Sequence, residues 1–586
     1  MMRIENRSSR WTRYLGTGLT ILGGFFCAGS SRDLRSSALP MLDGTDGKGV
    51  LAVGNGEAWP LAVDSITAEG IRRHIEVLAA DAMEGRETGS AGYERASGYV
   101  AHEFEAIGLA PAGDGDRFFQ TIPLFETRLV PESASMGLRR DQTIVELEFR
   151  SDFIAFGGYG PEHEEVEAPL AFVGYGVKAP EYGHDDFADI DVSGKILVML
   201  SGAPPYFATD QRAYYSSGLV KRDLAVELGA VGYVVVRTPV DQERRPWARY
   251  LPGIGSPEMC WVDSDGRPFE GFLQLQGTAV LSQSGAEKLF TLAGYDLAAI
   301  FEKHTKGQLG NPVVGSFDMD VTATLAQSSK QRRVRSANVL GLLAGSDPSR
   351  RDEFVIYTAH LDHLGIRPGE NGDEIHNGMY DNAAGVAVIL EVARAMASLT
   401  PAPRRSILFA ALAGEEQGLK GSSFLAHHPP VPIEMLVANL NVDMPYLGFP
   451  IANLEAFGAE HSTLESAVRR ATAAVGIALT PDSMPERVRF VRSDQFSFVQ
   501  RGIPALALKP GSESADPAID GGAMLSDFLS HHYHQPSDDL ALPFDAAGAE
   551  SFARAALLTG LLVAESDDRP RWNDGDFFGT KFGREE

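Results

Sequence analysis

In the second half of this chain, histidines and carboxylates stand directly after apolar runs. Phe354–Ala359 leads into His360-Leu361-Asp362-His363-Leu364-Gly365, Ile407–Leu412 into Ala413-Gly414-Glu415-Glu416, and Leu436–Val442 into Asp443. Asp381-Asn382-Ala383-Ala384-Gly385 opens the apolar run Val386–Ala397, where Asp381 is also in position simply to cap a helix. The last stretch is His531-His532-Tyr533-His534-Gln535-Pro536-Ser537-Asp538; Pro536 stiffens this loop and Asp538 is placed to orient an imidazole. Each stretch alone is ordinary. Together they set expensive polar groups beside buried strands, where an unpaired charge is costly.

Two histidines and three carboxylates are hard or borderline donors. They suit zinc first, then manganese or cobalt. A single catalytic zinc needs only three protein ligands. Five are better explained by two metals about 3.5–4 Å apart with one carboxylate between them.

The elements around these residues alternate. From near Val313, strands expected at Phe354–Ala359, Ile407–Leu412, Leu436–Val442 and Ala505–Leu508 are separated by helical stretches such as Asn382–Ser398. This pattern predicts an α/β layer with a mostly parallel sheet, and such sheets bind ligands at the carboxyl ends of their strands. Upstream, Ile71, Ile75 and Leu78 recur at helical spacing, and Tyr93–Ile107 reads as a second amphipathic helix stopped by Gly108. Residues 167–310 differ in texture. Short runs at Leu170–Val173, Ile196–Leu200 and Tyr233–Val236, with a helical stretch Leu219–Leu228, predict a separate β-rich module.

The 586 residues exceed one ordinary core. With 52 Lys+Arg against 79 Asp+Glu, the formal charge is −27, which excludes a nucleic-acid binder working through a basic face. The short basic run Lys330–Arg335 reads as a solvated segment. Cys27 and Cys260 are the only two cysteines, so a cysteine-based zinc site is excluded. Residues 1–30 read as an export signal: Arg3, Arg7, Arg10 and Arg13 precede an apolar stretch from Tyr14 to Ala28 that is short for a membrane span. Export to the periplasm or the extracellular space is the expectation. Lipidation of Cys27 and a retained membrane anchor are the alternatives. Residues 31–63 read as a linker, 64–166 as the N-terminal part of the main domain, 311–566 as its principal part, and 567–586 as a polar, irregular tail.

The quoted stretches, with Gly414-Glu415-Glu416-Gln417-Gly418 and Asn441-Val442-Asp443, resemble in order and spacing the M28 family of zinc peptidases (aminopeptidase Y/leucyl aminopeptidase type). The resemblance extends to Gly85-Arg86-Glu87-Thr88-Gly89-Ser90, to Ser493-Asp494-Gln495 and to Gly502-Ile503-Pro504-Ala505, and so runs from about residue 64 to 566. It implies a three-layer peptidase domain with a mostly parallel sheet, and it makes the 167–310 module similar to an inserted protease-associated (PA) domain. It also implies two zinc ions per chain and peptide substrates. By this resemblance Asp381 bridges the zincs, His360 and Asp443 complete one site, and Glu416 and His534 the other. Glu415 is then the general base, and Asp362 orients His360 through its second ring nitrogen. His534 is preferred to His531 and His532 for its flanking Tyr533 and Pro536. Two departures stand out: Gly378-Met379-Tyr380 before Asp381, and Gln495 where a histidine often follows Ser-Asp.

Other chemistries lack their residues. There is no His-Glu-x-x-His and no Gly-x-Ser-x-Gly, and Ser193-Gly194-Lys195-Ile196 lacks the features of a phosphate loop. Two alternatives keep the fold: a glutaminyl-cyclase-like transferase with one zinc, and a binding protein that has lost the metal cage. The complete ligand set with Glu415 speaks against both.

Overall fold

Trp59, Ala62 and Val63 share one face of a helix, α1 (Ala58–Ser65), and are buried. The expected linker therefore ends before residue 58, because this apolar face needs a core to cover it. The computed structural model describes residues 58–307, 315–367 and 372–584. The expected export signal and the rest of the expected linker lie outside them.

Two capped helices follow. In α2 (Ala68–Leu78), Thr67 accepts from Gly70 N, and Ile71, Ile75 and Leu78 are buried. In α3 (Ala91–Ile107), Ser90 accepts from Tyr93 N and Gly108 closes the helix at φ 91°. Strand β1 (Phe119–Leu129) then enters the main sheet.

The next segment builds a second core. Its strands are β2 (Ser135–Arg140), β3 (His163–Phe172), β4 (Ile196–Leu200), β5 (Gly232–Val236), β6 (Glu258–Trp261) and β7 (Gly277–Leu281), with helix α4 (Gly218–Glu227) before β5. Strands β3, β4, β5 and β7 run parallel. Strand β8 (Phe317–Leu343) belongs to both cores: its first half pairs with β2 and β3, and its second half with β1. The second core accordingly takes in Met136 and Leu138 before residue 167 and Val321 and Leu325 beyond residue 310. The module is wider than the expected 167–310 because its sheet is completed by strands on both flanks. Strand β6 leaves it to pair with β1, carrying Trp261 into the main core. The basic run at Lys330–Arg335 is part of β8, where Arg332 Nη2 lies 2.6 Å from Glu126 Oε2.

The main sheet has a parallel centre: β9 (Phe354–His360) lies between β10 (Ser406–Leu412) and β11 (Leu436–Val442), and β13 (Ala505–Pro510) continues the parallel run beside β11. Antiparallel neighbours close it, β8 beside β10 and β12 (Asn453–Phe457) beside β13. Strand alternation divides the side chains between two layers. Val355, Tyr357 and Ala359 of β9 join the layer of α5 (Ala384–Ala397) and α7 (Ala546–Glu565), while Phe354 and Ile356 join the layer of α6 (Lys420–His427) and the turn holding Phe498. A strand covered on both faces is mostly apolar, as the β9, β10 and β11 runs are. The buried polar residues Thr358, Asn439 and Asn441 among them are linked by hydrogen bonds to one another. Helix α7 is long and apolar enough to cross a membrane by composition, and 72% of its apolar window is buried in this layer.

The C-terminal segment is not the irregular tail expected. Asp576 caps a short helix, α8 (Phe577–Phe582), by accepting from Gly579 N. Phe578 is fully buried in the α6-side layer, while Phe577 meets Tyr182 and Tyr214 of the inserted module. Three phenylalanines among polar neighbours, Phe577, Phe578 and Phe582, are what anchor it.

Candidate metal centre

The parallel strands end level with one another. His360 of β9 is in register with Leu412 of β10, and Thr358 with Asn441 of β11. His360, the Glu415–Glu416 turn and Asp443 therefore emerge at one edge. Gly414, at φ 71°, makes the left-handed turn that brings Glu415 and Glu416 back over the strand ends.

Asp381 reaches this edge because another residue does the capping. Helix α5 starts only at Ala384, after an irregular turn over Met379–Ala383. Asn382 Oδ1 accepts from Gly385 N and Met444 N, and its Nδ2 donates to Val442 O. Asn382 thus closes the helix start and ties it to the end of β11, leaving the Asp381 carboxylate free.

That carboxylate divides its two oxygens between two groups of donors. Asp381 Oδ1 lies 3.2 Å from His360 Nε2, which is also 3.3 Å from Asp443 Oδ1. Asp381 Oδ2 lies 3.1 Å from His534 Nε2, which is also 3.3 Å from Glu416 Oε2. The five expected ligands are all here. His531 and His532 are not: they pair with Asp527 and Ser537 on the surface. A histidine not expected in the cluster, His363, donates from Nδ1 to Glu416 Oε1 at 2.8 Å, and its buried Nε2 has no hydrogen-bond partner.

Two expected supporting roles are corrected. The His360 Nδ1 partner at 3.1 Å is the main-chain carbonyl of Asp362, and the Asp362 carboxylate lies 4.0 Å away. That carboxylate instead accepts from Glu415 N at 3.1 Å and Glu416 N at 3.3 Å, so it holds the glutamate turn. Asp538 orients no imidazole. It accepts from Tyr380 N and Asp381 N and holds the main chain that carries the central carboxylate.

Behind these loops sits Arg86, fully buried. It donates to the carbonyls of Leu361, Leu78, Asn377 and Gly378, joining the β9 and Asp381 loops to α2. Its stretch is visible in the sequence, but its partners are scattered along the chain. Both departures from the family pattern lie in the scaffold. Tyr380 is buried against Tyr446 and Phe528. Gln495 accepts from Asn441 Nδ2 and donates to Phe490 O.

The electrostatics follow from crowding. Burial pushes the carboxylates up, yet Glu416, facing His534 and His363, is held down to about 2. Asp443, facing Lys509 and His360, is also held to about 2. Asp381 is lowered by His360 and His534 against the effect of burial. The imidazoles respond in kind: burial opposes their charge, but Glu416 and Asp381 carry His534 up to about 10, and Asp381 and Asp443 carry His360 well up. Glu415 goes the other way, raised by burial and then by Glu416 and Asp443. Buried carboxylates this close together require cations among them. Nitrogen and oxygen donors in two groups, joined by one carboxylate, fit a pair of zinc ions.

Above the cluster opens a cleft of about 180 Å³. His360, Asp381, Glu415 and Asp443 lie at its base, and Met444, Tyr446, Phe457 and Tyr533 among its walls.

The three-layer α/β domain thus gathers its histidine and carboxylate donors at the carboxyl edge of its parallel strands, where sheets of this class bind ligands. Residues 338–559 match Peptidase family M28 and form a domain of that family. Aminopeptidase NAALADL1 of Mus musculus is 29% identical over 239 residues, 39% of this chain and 28% of that protein. Aminopeptidase YwaD of Bacillus subtilis (strain 168) is 31% identical over 144 residues, 23% of this chain and 29% of that protein. The chain thus spans less than a third of either relative. The fold matches that of an aminopeptidase from Aneurinibacillus sp. strain AM-1 with a TM-score of 0.51 at 20% identity, over 88% of this chain and 100% of that one.

Proposed function

We propose that this protein is a two-zinc aminopeptidase that removes N-terminal residues from peptides. The observation that carries the reading is the divided carboxylate of Asp381, one oxygen facing His360 and Asp443 and the other facing His534 and Glu416. His360 and Asp443 would hold one ion, Glu416 and His534 the other, and Asp381 both. When bound, the zincs supply Lewis acidity, lowering the pKa of water toward about 7 and polarising the substrate carbonyl.

The chain's own groups do the rest. Glu415 lines the cleft beside both donor groups, placed as a general base would be to take a proton from attacking water and return it to the leaving amine. Asp362 fixes the Glu415 main chain. Asn382, Asp538 and Arg86 fix that of Asp381. The M28 domain and the aminopeptidases it resembles support the same reaction class.

The test is metal analysis of purified protein together with hydrolysis of aminoacyl substrates. Two zincs per chain, activity lost on chelation and restored by zinc, and no cleavage of N-acetylated peptides are expected. One zinc per chain, activity that survives chelation, or cleavage of blocked peptides overturns the proposal.

A further inference from the structure

The cleft above Glu415 is walled by cations in a chain that is strongly acidic. Arg487, Arg489, Arg492 and Lys509 line it, and Glu455 is the one carboxylate lining it outside the metal cluster and Glu415. Glu455 is already matched: its Oε2 lies 2.9 Å from Arg489 Nη2, and Arg489 also meets Asp482. Lys509 Nζ is 3.8 Å from Asp443 Oδ1, beyond hydrogen-bond length. Among the described residues no carboxylate pairs with Arg487 or Arg492, and both are exposed.

The main chain presents these side chains deliberately. Two short 3-10 turns, Pro485–Arg487 and Arg489–Val491, meet at Val488, which sits at φ 48°, a left-handed conformation costly for a β-branched residue. Through this kink Arg487 and Arg489 both line the cleft, while Val488 lines a second pocket on the side of the inserted module. The cleft also has an apolar lining, with Met444, Leu525, Leu529 and Phe457, whose ring lies under the Arg489 guanidinium. Unpaired guanidinium groups in a concave, partly apolar site attract a carboxylate and can grip it through paired hydrogen bonds.

We infer that Arg487 and Arg492, with Lys509 beside them, form a carboxylate-binding subsite, so that the protein selects peptides bearing a carboxylate near the scissile bond. This rests on the peptidase reading above. The carboxylate is either an acidic side chain or the C-terminal group of a short peptide, and both present the same chemistry to the wall.

Two matched pairs separate the sources in the zinc-loaded full chain: Glu-Ala-Ala-amide against Gln-Ala-Ala-amide, and Leu-Ala against Leu-Ala-amide. At least one charged member should be preferred in kcat/KM by about tenfold or more, the worth of a charge-assisted hydrogen bond. The Arg487→Gln/Arg492→Gln double variant should remove that preference through KM, leaving hydrolysis of Leu-Ala-amide within about twofold of wild type, as a change confined to substrate binding requires. Equal rates within both pairs, or a preference that survives the double variant, overturns the subsite. Calorimetric titration of the same peptides into zinc-loaded Glu415→Gln protein reads the wall without turnover. Tighter binding of the charged member supports the subsite even if no peptide is ever cleaved, an outcome that would sink the peptidase reading alone. Equal binding overturns the subsite.

Discussion

Glu415 and Glu416 are adjacent, yet their carboxylates are driven in opposite directions. Glu416 meets two imidazoles and stays charged. Glu415 feels its neighbours' negative charge and holds a proton more tightly. Glu415→Gln should therefore keep two zincs per chain while kcat falls by about 10³-fold, the usual worth of a general base; a loss below about tenfold would remove Glu415 from that role. Asp381→Ala should behave differently, because it empties both donor groups at once. The purified variant is expected to carry no stoichiometric zinc, as read by elemental analysis, and two retained metals would show that Asp381 does not join them. The positions of His360, Glu415, Glu416 and Asp443 are open to sequence reasoning because each lies within a few residues of a strand end, whereas Asp381 precedes a helix and His534 lies in a loop. His363 stands inside a quoted motif too, but its contact with Glu416 crosses from one strand end to another and has no local signature.

Loops and helices hold these donors, and their own charges are testable. Arg86→Met would strip four carbonyls of their donor and remove a cation that acts on Asp538 and, more weakly, on Asp381. A loss of about 3–5 kcal/mol is expected in denaturant unfolding, with weaker zinc retention. Helices α2 and α5 are joined through Glu391, 1% exposed, whose Oε1 lies 3.5 Å from His74 Nε2 and whose Oε2 lies 2.7 Å from Arg394 Nη2. Burial opposes its charge, but His74 and Arg394 lower its pKa from 4.5 to about 2. A carboxylate lowered in the folded state stabilises above its unfolded pKa and loses that contribution as pH falls toward the folded value. Glu391→Gln should thus be less stable than wild type by up to about 3 kcal/mol near pH 6, and the gap should close as pH drops from 4.5 toward 2. A gap independent of pH would refute the assignment. The helices and strands themselves follow from period and capping, as Thr67, Ser90 and Gly108 illustrate. The start of α5 does not. Asp381 and Asn382 are both acceptable caps, and only the contact of Asn382 with the end of β11 decides between them.

The strand β8 and the short helix α8 join the two cores. β8 gives one half to each sheet, and α8 places Phe578 in the main domain and Phe577 against the inserted module. Truncating Phe578 to alanine should cost about 3–5 kcal/mol, as for other buried phenylalanines. Calorimetry is expected to show the main domain destabilised while zinc stoichiometry stays unchanged; an unchanged melting profile would mean that α8 does not anchor the chain.

Local pattern by itself determined the α/β class, the strands and helices, and the placing of His360, the Glu415–Glu416 pair and Asp443 after strands, because apolar period and strand-end position are written in neighbouring residues. The division of roles among them, and Asp381 as a ligand rather than a cap, came from the resemblance to the M28 family. The tertiary structure brings His534, already distinguished from His531 and His532 by its flanking Tyr533 and Pro536, to 3.1 Å from Asp381 Oδ2. It also decided that Asp362 and Asp538 hold main chain rather than imidazoles, that the module reaches beyond 167–310, and that the last segment is a packed helix. Each of these is a contact between residues far apart in the chain, whose energy depends on how the cores close.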